Sequence, residues 1–515
     1  MIVADTLWKL IERRAEATPE APFAFDEEDR ALSFAGYREA AQRAAAGLQA
    51  RGVVAESRVT WVLPTRLQTM VLSGALARLG AIQNPVLPIY REREVGFVVH
   101  QTAAQLLVVP PAWRGFDYPA MARKLAAGRR ELAVLVLGGS LPEADPSSLP
   151  AVPPPLAPDA APVRWHFYTS GTTADPKGAR HTDVTLMASA KGMVEALEIE
   201  ASDRHGLVFP ITHVGGIGWL IAGLMSGCAQ VPVAIFDPAT AIDRLTRHGV
   251  TLAGAGTAFH QAYLAARRAD PLRPLLPAVR AFPGGGAPKP PVLHADLKSA
   301  FGGVGIVSGY GLTECPIISM NSVRDPDEQL AHTEGRPRPA GAEIRVIGPD
   351  GGRVGPGVEG ELRIRGPQLF RGYVDAALDA DAFDADGFFR TGDLGMLDPQ
   401  GYVVITGRLK DVIVRKGENI SAKELEDLLY THPSVADVAV IGLPDPALGE
   451  RCCAVVALAP DARLTLEEVA AYLRERGLMI QKIPEQLELV AELPRNAAGK
   501  VTKQALRERF SRASA

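Results

Sequence analysis

The sequence has few cysteines, no long apolar run and no excess of positive charge. Four of its 515 residues are cysteines, at spacings that match no metal-ligand pattern, and the adjacent Cys452 and Cys453 should point to opposite faces of a strand. We expect buried free thiols in a reducing cytoplasm. No apolar run is long enough to span a bilayer, and no basic segment precedes an apolar one after Met1, so neither a membrane span nor a secretory signal is expected. A net charge of −4 argues against nucleic acid as a partner.

A loop rich in glycine and hydroxyl groups follows a mostly apolar run at 163–168. Its sequence is Tyr168-Thr-Ser-Gly-Thr-Thr-Ala-Asp-Pro-Lys-Gly178, and a helical pattern resumes near Asp183. Glycines let the backbone approach an anion, N–H groups and hydroxyls bond its oxygens, and Lys177 adds positive charge. A Walker A loop is excluded, because the lysine precedes its glycine and no Ser or Thr follows it. We interpret the stretch as a polyphosphate-holding loop between a strand and a helix.

This loop resembles the phosphate loop of the adenylate-forming (ANL) superfamily, which includes acyl-CoA synthetases, peptide-synthetase adenylation domains and luciferases. The usual family pattern is Tyr/Phe-Thr-Ser-Gly-Thr-Thr-Gly-x-Pro-Lys-Gly, and the chain departs from it at Ala174, whose methyl group could stiffen the loop. Further motifs follow in family order over nearly the whole chain. The segments 84–94 and 113–118 resemble the branch that contains cyclohexanecarboxylate and medium-chain acyl-CoA ligases.

The resemblance implies that three more motifs contact the nucleotide. Read alone, 283–288 is a tight turn, 309–314 is a glycine-rich turn with an acid, and the Thr-Gly-Asp at 391–393 is a plain turn. The resemblance places the first turn against adenine and assigns Asp393, assisted by Arg408, to the ribose hydroxyls. In the second turn, Tyr310 can stack on a purine, Thr313 can bond the α-phosphate and Glu314 can bind Mg²⁺ as a hard oxygen ligand.

The resemblance therefore implies a full set of site residues. The ATP- or AMP-binding residues it implies are Thr169, Ser170, Gly171, Thr172, Thr173, Lys177, Gly285, Gly286, Ala287, Pro288, Tyr310, Gly311, Thr313, Asp393 and Arg408. It also implies Lys500, Glu314 and Thr169 as catalytic residues and Glu314 and Thr169 as metal ligands. Lys410 falls at an interdomain hinge, and Gly417 falls in a loop that opens a channel for CoA.

Lys500 closes the segment Pro494-Arg-Asn-Ala-Ala-Gly-Lys500. A lysine near the C-terminus is ordinarily solvated surface. Here the pattern matches the closing motif of the family, in which this lysine reaches across domains to the carboxylate and the α-phosphate. We predict that the C-terminal domain rotates between the two steps of the reaction.

The acyl pocket is the least determined part of the site. Its predicted residues are His213, Gly216, Trp219, Gly256, Gly309 and Cys315. A histidine at a strand end is usually structural, and Trp219 is a core residue by default, so both have a structural alternative. The segments around them are apolar or small, and no acid stands ready to bind an ammonium group. We therefore predict a hydrophobic carboxylic acid, either alicyclic, aromatic or medium-chain, as the substrate.

Helical and strand patterns alternate over the first 330 residues, which indicates an α/β fold with a largely parallel sheet. Short strands separated by Gly and Pro follow from Gly341, and capping boxes at Ser421 and Thr465 open two helices of a smaller unit. We predict a large N-terminal domain (1–407) of two α/β subdomains plus a small β-barrel. A hinge (408–411) then leads to a small mobile α+β C-terminal domain (412–515).

The predicted reaction joins the acid to CoA, at the expense of ATP and with Mg²⁺, through an acyl-adenylate. No carrier-protein domain is attached to the chain, which favours CoA as the acceptor. Two alternatives stay open. One is a freestanding enzyme that loads an acyl carrier protein, and the other is a nucleotide-binding protein without catalysis. The oligomeric state also stays open, with a homodimer as one option.

Overall fold

The computed structural model describes residues 1–154, 156–169, 176–287, 289–415, 418–496 and 499–511. The helices are α1 (Leu7–Ala17), α2 (Phe34–Gln49), α3 (Leu67–Leu79), α4 (Glu92–Gln101), α5 (Tyr118–Ala126), α6 (Asp183–Leu197), α7 (Val214–Ser226), α8 (Pro238–Arg247), α9 (Thr257–Ala269), α10 (Pro291–Ala300), α11 (Asp327–His332), α12 (Asp379–Ala382), α13 (Ala422–Leu429), α14 (Leu466–Glu475) and α15 (Lys503–Ser511). The strands are β1 (Pro22–Phe25), β2 (Ala31–Ser33), β3 (Arg58–Trp61), β4 (Ile82–Pro85), β5 (Leu106–Val109), β6 (Ala133–Val136), β7 (Val163–Tyr168), β8 (Gly178–Thr182), β9 (Arg204–Leu207), β10 (Ala229–Pro232), β11 (Leu252–Ala253), β12 (Phe282–Gly285), β13 (Ile306–Tyr310), β14 (Ser319–Met320), β15 (Arg336–Pro337), β16 (Glu343–Ile347), β17 (Gly360–Arg365), β18 (Phe389–Leu397), β19 (Val403–Arg408), β20 (Ile413–Arg415), β21 (Glu418–Ile420), β22 (Val435–Asp445), β23 (Gly449–Leu458) and β24 (Gln486–Val490).

Two mixed sheets form the α/β body. The six-stranded sheet has the order β6-β5-β3-β4-β7-β8 and is parallel except for its β7–β8 pair. The five-stranded sheet has the order β11-β9-β10-β1-β2 and is parallel except for its β1–β2 pair. The largest apolar cluster takes side chains from both sheets and from α1, α2, α3, α6 and α7. These helices therefore share one core with both sheets, and the α/β prediction is confirmed.

The segment after the phosphate loop differs from the prediction. The sequence predicted a strand, a loop and then a helix, whereas the structure adds β8 between the loop and α6. This strand pairs with β7 and also with 371–374, where Arg180 N donates to Gly372 O (3.0 Å) and Val374 N donates to Gly178 O (2.7 Å). The strand has only five residues, which is too short for a clear alternation of polar and apolar side chains, and its second partner, 371–374, lies far away in the sequence. The local sequence pattern therefore could not reveal it.

The β-rich region beyond the α/β body contains two four-stranded sheets. The first has the order β12-β13-β14-β15, and the second, predicted as a small β-barrel, is an antiparallel sheet of order β16-β17-β18-β19. A pair of backbone bonds joins the two, in which Glu334 N donates to Val403 O and Val403 N donates to Gly335 O, both at 2.8 Å. The antiparallel sheet is therefore fixed to the end of the α/β body, and β19 carries the chain out of it.

A smaller unit follows the short 3₁₀ turn Leu409–Asp411. Its sheet has the order β21-β20-β23-β22, with β24 parallel to β23. Thr465 opens α14 with the predicted capping box, and Ser421 caps α13 by accepting from Glu424 N. Cys452 and Cys453 lie in apolar clusters on opposite faces of this sheet, which confirms that part of the prediction. Over the described ranges, no helix is long and apolar enough to cross a bilayer.

Candidate active site

A cleft of about 1300 Å³ lies where the α/β body, the antiparallel sheet and the C-terminal unit meet. The carboxyl ends of the parallel strands β12 and β13 open into it, which is the usual position for a ligand site in such sheets. The predicted residues that line it are Gly286, Ala287, Gly309, Tyr310, Gly311, Asp393, Arg408, Lys410 and Lys500. The structure therefore brings together motifs that are far apart in the sequence.

Asp393 and Arg408 face each other as register partners on β18 and β19. The Arg408 guanidinium donates to one oxygen of the Asp393 carboxylate, and the Tyr310 hydroxyl donates to the other at 2.6 Å. Burial and the neighbouring Asp393 raise the pKa of Tyr310 well above its ordinary value, so this hydroxyl stays protonated. Burial opposes the charge of Arg408, but the contact with Asp393 raises its pKa overall. A carboxylate has about four lone-pair sites, so Asp393 can still accept from two further hydroxyls.

The Thr313–Glu314 turn is held by three hydrogen bonds from elsewhere in the fold. His181 Nε2 lies 2.9 Å from Thr313 O, and Phe370 N donates to Glu314 O at 2.9 Å. The Tyr373 hydroxyl donates to Glu314 Oε1 at 2.7 Å. Glu314 is buried, with 8% of its surface exposed, and its second carboxylate oxygen accepts no hydrogen bond within the described ranges.

The base of the phosphate loop is closed by a pair of bonds between Thr169 and Lys177. Thr169 N donates to Lys177 O at 2.9 Å, and Lys177 N donates to Thr169 Oγ1 at 3.2 Å. The Lys177 ammonium lies 5.4 Å from the centre of the Tyr373 ring. Lys177 and Glu314 therefore contact the same tyrosine, which brings the loop lysine and the predicted metal ligand to one place.

Lys500 is half-buried in the structure, although sequence alone suggests an exposed loop. Its loop is closed by Asn496, whose side-chain oxygen accepts from Lys500 N (3.0 Å) and whose N–H donates to Lys500 O (2.8 Å). A Cβ on Gly286 would lie 3.7 Å from Lys500 Cε. Burial of the amine and the nearby charge of Arg408 lower the pKa of Lys500 to about 8, against the opposing effect of Asp393 and Glu314.

Two family models match the chain. The model of the AMP-binding enzyme matches residues 11–374, and that of the AMP-binding enzyme C-terminal domain matches residues 424–500. The first match alone spans more than half of the sequence. This chain belongs to the AMP-binding enzyme family. Its relatives are acyl-CoA ligases and aryl-AMP ligases, so the resemblance to the ANL superfamily is confirmed.

Relatives and solved structures match this AMP-binding enzyme over almost its full length. It is 34% identical to the salicyl-AMP ligase / salicyl-S-ArCP synthetase of Mycobacterium tuberculosis, over 97% of this chain and 90% of that protein. It is 31% identical to the medium-chain fatty-acid–CoA ligase of Escherichia coli, over 97% and 90% of the two chains. The crystal structure of ATP-bound MatB from Rhodopseudomonas palustris superposes with a TM-score of 0.87 at 26% identity, covering 99% of this chain and 100% of that one. The enzyme is therefore an adenylate-forming ligase with a large N-terminal and a small C-terminal domain.

The acyl-side residues of this AMP-binding enzyme divide into two groups. His213 caps α7, where its Nδ1 accepts from Gly215 N at 3.0 Å, so it begins a helix and does not end a strand. Burial and the charge of Lys500 lower the pKa of His213 to about 3, so its ring is neutral. Trp219 instead stacks on His205 with ring centres 3.7 Å apart inside the main core. Cys315 packs in the apolar cluster of the antiparallel sheet.

Glycine at several predicted positions is required by backbone packing. A Cβ on Gly216 would lie 2.3 Å from Pro210 O, and one on Gly311 would lie 2.0 Å from Pro316 O. A Cβ on Gly256, Gly285 or Gly309 would lie 2.9, 2.8 or 3.1 Å from the carbonyl oxygen of Gly285, Gly309 or Ser319, respectively. These three glycines form successive layers of bare backbone. Each glycine therefore lets one segment of the main chain pass directly against the next.

The donor set fits Mg²⁺ in the way that nucleotide enzymes hold it. No group of three or more His, Cys, Asp or Glu side chains gathers anywhere in the described parts of the chain, so there is no protein cage for a metal. Mg²⁺ commonly binds through one or two carboxylates and completes its shell with water and substrate phosphates. Glu314, with one carboxylate oxygen open, meets that requirement.

The hinge prediction falls on the 3₁₀ turn between β19 and β20. Lys410 lines the cleft, and its pKa is lowered by burial and by the neighbouring Arg408. The next residue, Asp411, accepts from Arg507 Nη2 of α15 at 2.9 Å. Burial tends to raise the pKa of Asp411, but the charges of Lys503 and Arg507 lower it overall. The turn is therefore tied by charge to the last helix.

Some predicted residues lie outside the described ranges. These are Ser170, Gly171, Thr172, Thr173, Pro288 and Gly417, together with the departure at Ala174. The structure also adds two residues that sequence reasoning missed, His181 and Tyr373, which hold the Thr313–Glu314 turn. Only their closeness in sequence to the phosphate loop and to the glycine at 372 could have drawn attention to them.

Proposed function

We propose that the enzyme activates a hydrophobic carboxylic acid with MgATP and passes the acyl group to CoA, releasing pyrophosphate and AMP. The observation that carries the proposal is the convergence of Lys500 and the Asp393–Arg408 pair on one cleft, with Glu314 close enough for its charge to act on Lys500. It supplies a cation, a hard oxygen ligand and a ribose-binding carboxylate within reach of one bound nucleotide. The chemistry of acyl-adenylate formation needs these three groups together.

The proposed reaction has two balanced steps. A carboxylate oxygen of the acid bonds to the α-phosphorus of ATP, and the bond from that phosphorus to the bridging oxygen breaks, so pyrophosphate leaves with the electron pair. The sulfur of the CoA thiolate, whose proton has gone to solvent, then bonds to the acyl carbon, and the carbon–oxygen bond to AMP breaks. AMP is a competent leaving group, whereas the oxide of a free carboxylate is not. Because the first step joins two anions, catalysis consists mainly of positioning and charge stabilisation.

Each part of the site has a role in that step. Lys500 and Lys177 supply positive charge to the reacting carboxylate and the departing pyrophosphate, and Thr313 bonds the α-phosphate. Asp393 and Arg408 bind the ribose, and Tyr310 stacks on the adenine. Glu314 and Thr169 would hold Mg²⁺ together with the phosphates, where the ion neutralises charge that the protein alone cannot.

The acyl side supports a carboxylate whose acyl group is uncharged and apolar. The segments 213–225 and 253–260 contain no Asp or Glu that could pair with an ammonium group, and the one acid in 306–316, Glu314, is assigned to Mg²⁺. His213, whose pKa is about 3, adds a neutral ring. We therefore infer an alicyclic, aromatic or medium-chain acid as the substrate.

A carrier protein is the second candidate acceptor. One relative is a salicyl-AMP ligase / salicyl-S-ArCP synthetase and another is a medium-chain fatty-acid–CoA ligase, and both match this chain over 97% of its length. We favour CoA and propose that the reaction takes place in the cytoplasm. Comparing CoA with a phosphopantetheinylated aryl or acyl carrier protein in the same assay distinguishes the two.

We also propose that the chain divides into an N-terminal domain (1–407), a hinge (408–411) and a C-terminal domain (412–515) that rotates between the steps. In the orientation of this structure, Lys500 lies in the cleft, as adenylation requires. The other orientation would withdraw Lys500 and bring the loop around Gly417 to a channel for the pantetheine arm, with Lys410 at the pivot.

A pyrophosphate-release screen over a panel of carboxylic acids, with and without CoA, tests the function. We expect release that depends on one class of hydrophobic acid, and acyl-CoA formation when CoA is added. Absence of acid-dependent pyrophosphate release across alicyclic, aromatic and aliphatic acids would leave a nucleotide-binding protein without this activity.

The variant Lys500→Ala separates the two steps. We expect it to abolish adenylation and to retain thioester formation from supplied acyl-adenylate, since the lysine serves only the first step. Lys191→Ala, at an exposed lysine of α6 that pairs with Glu195, is the matched control and should behave as the unmodified enzyme. Pyrophosphate exchange at the unmodified rate in Lys500→Ala would show that the lysine does not have this role.

A further inference from the structure

The Thr313–Glu314 turn is attached to the strand that leaves the phosphate loop. His181 lies on β8 and contacts the carbonyl of Thr313, and Tyr373 pairs with Ala179 of the same strand and contacts the Glu314 carboxylate. The positions of Thr313 and Glu314, the two residues of the turn that would contact ATP, are therefore set by β8. Neither His181 nor Tyr373 has a role in the reaction as proposed above.

The hydrogen bonds of His181 fix its tautomer. Thr313 O can only accept, so His181 Nε2 must carry the proton, and Nδ1 then accepts from the Thr185 hydroxyl at 2.9 Å. His181 is fully buried, and burial lowers its pKa to about 4, so the ring is neutral at physiological pH. The imidazole thus connects the N-terminus of α6, where Thr185 forms a capping box with Thr182, to the catalytic turn.

Tyr373 contacts two charged groups of the site at once. Its hydroxyl donates to Glu314 Oε1, and its ring faces the Lys177 ammonium at 5.4 Å. Burial and the charge of Glu314 raise the pKa of Tyr373 far above its ordinary value, so the hydroxyl remains a donor. Because one Glu314 oxygen is occupied, the carboxylate has a fixed rotamer with its other oxygen open. Tyr373 thereby sets the distance between the predicted metal ligand and the loop lysine.

We propose that His181 and Tyr373 are positioning residues for adenylation, which hold Thr313 and Glu314 in register with the phosphate loop through β8. The inference rests on the proposed function, since it assigns a purpose to the turn in that reaction. It predicts that the two residues affect the ATP-dependent step and leave thioester formation from supplied acyl-adenylate intact.

Substitutions of His181 by the two amide residues, glutamine and asparagine, test its contact with Thr313. The side-chain nitrogen of glutamine can replace Nε2 of histidine, whereas that of asparagine is too short to reach Thr313 O. We expect His181→Asn to lower the rate of adenylation by about 10–100-fold, since misplacement of reacting groups by about 1 Å has effects of that size. His181→Gln should recover most of the loss, with the KM for the acid unchanged in both.

His166 offers a matched control in the same hairpin. It is buried on β7 and pairs with Arg180, so it points to the opposite face from His181, and its Nδ1 has no partner within the ranges described. His166→Asn should stay within about threefold of the unmodified enzyme in both half-reactions, because this ring points away from the face on which His181 holds the Thr313–Glu314 turn. Equal damage from His181→Gln and His181→Asn, or no damage from either, would overturn the role of His181.

Tyr373→Phe removes the hydroxyl and keeps the ring beneath Lys177. We expect calorimetric titration of ATP at a series of Mg²⁺ concentrations to show that the variant needs about three- to tenfold more Mg²⁺ for half-maximal nucleotide affinity, since one hydrogen bond to a charged group is lost. ATP binding without Mg²⁺ and the melting temperature should change little. An unchanged Mg²⁺ dependence, or equal loss in both half-reactions together with a lower melting temperature, would contradict a positioning role.

Different results would contradict the proposed function and the positioning role of His181 and Tyr373. If the unmodified enzyme releases no pyrophosphate with any acid, the proposed function is wrong, while the calorimetric comparison still reports on Tyr373. If the unmodified enzyme is active and the variants match it in every half-reaction and titration, only the positioning inference is wrong.

Discussion

The charge of Lys500 should control the alkaline limb of adenylation. Its pKa is about 8, compared with an ordinary 10.5, because burial and Arg408 disfavour the cation. A shift of that size corresponds to about 3 kcal/mol against the charged amine in the absence of nucleotide. Since the pKa of a cation is lowered, the amine is charged below pH 8 and loses its charge as the pH rises. The charged fraction therefore falls about tenfold between pH 7 and pH 9.

The expected result is a kcat/KM for ATP that is level near pH 7, halves near pH 8 and falls about tenfold per further unit, because kcat/KM reports the free enzyme. The kcat limb should lie at higher pH, since bound phosphates stabilise the cation. The assay is rapid-quench formation of pyrophosphate without CoA, which keeps the titration of the CoA thiol out of the measurement. His213, whose pKa is about 3, does not titrate in this range.

Two variants identify the group responsible. Lys500→Arg should keep its charge across the range and remove the limb, although the rate will be lower because the guanidinium has a different shape. Lys410→Ala should keep the limb, which matters because burial lowers the pKa of Lys410 as well. A limb that persists in Lys500→Arg, or that disappears in Lys410→Ala, would refute the assignment.

Three further predictions follow from the geometry. Gly311→Ala places a methyl group 2.0 Å from a carbonyl oxygen, so we expect a loss of about 1–3 kcal/mol in the free energy of unfolding, measured in urea. We also expect adenylation to be at least about tenfold slower. Gly355→Ala is the neutral control, because a Cβ at Gly355 meets open space. Tyr310→Phe should raise the KM for ATP by about fivefold with kcat little changed, since it removes one hydrogen bond to the ribose-binding carboxylate, and an unchanged KM would contradict that assignment. Arg507→Gln removes the ion pair with Asp411, whose pKa is lowered in the fold. We expect urea unfolding to show a free energy of unfolding about 1 kcal/mol lower for the variant at pH 7. The difference between the variant and the unmodified enzyme should shrink below about pH 4, where Asp411 becomes protonated.

Local patterns predicted the elements whose hydrogen bonds and packing are local. The two helices of the C-terminal unit begin where Ser421 and Thr465 cap them. In contrast, β8 and β24 are short, and their pairing depends on segments that no local pattern identifies. The parallel pairing of β24 with β23 is set by the packing of the whole unit.

In the candidate site, too, some residues could be predicted from local sequence, whereas others depend on contacts between distant segments. The glycine-rich motifs, Asp393 and Lys500 could be found in the sequence because a ligand requires unusual residues in a fixed order. Trp219 and Cys315 were placed by motif position, and the structure directs both side chains into apolar packing. His181 could not be found, because its importance arises from a contact with a backbone carbonyl more than a hundred residues away. Backbone carbonyls leave no trace in a sequence pattern.

The four buried cysteines have a practical and chemical consequence. Each has at most 1% of its surface exposed, and burial raises the pKa of every one of these thiols. An acyl-adenylate reacts readily with any accessible thiolate, so a protein that makes one benefits from offering none of its own. Self-acylation is thereby suppressed and the acceptor's sulfur meets no internal competitor. A thiol reagent added to the folded enzyme should accordingly report the consumption of an added thiol acceptor, with almost no background from the four cysteines.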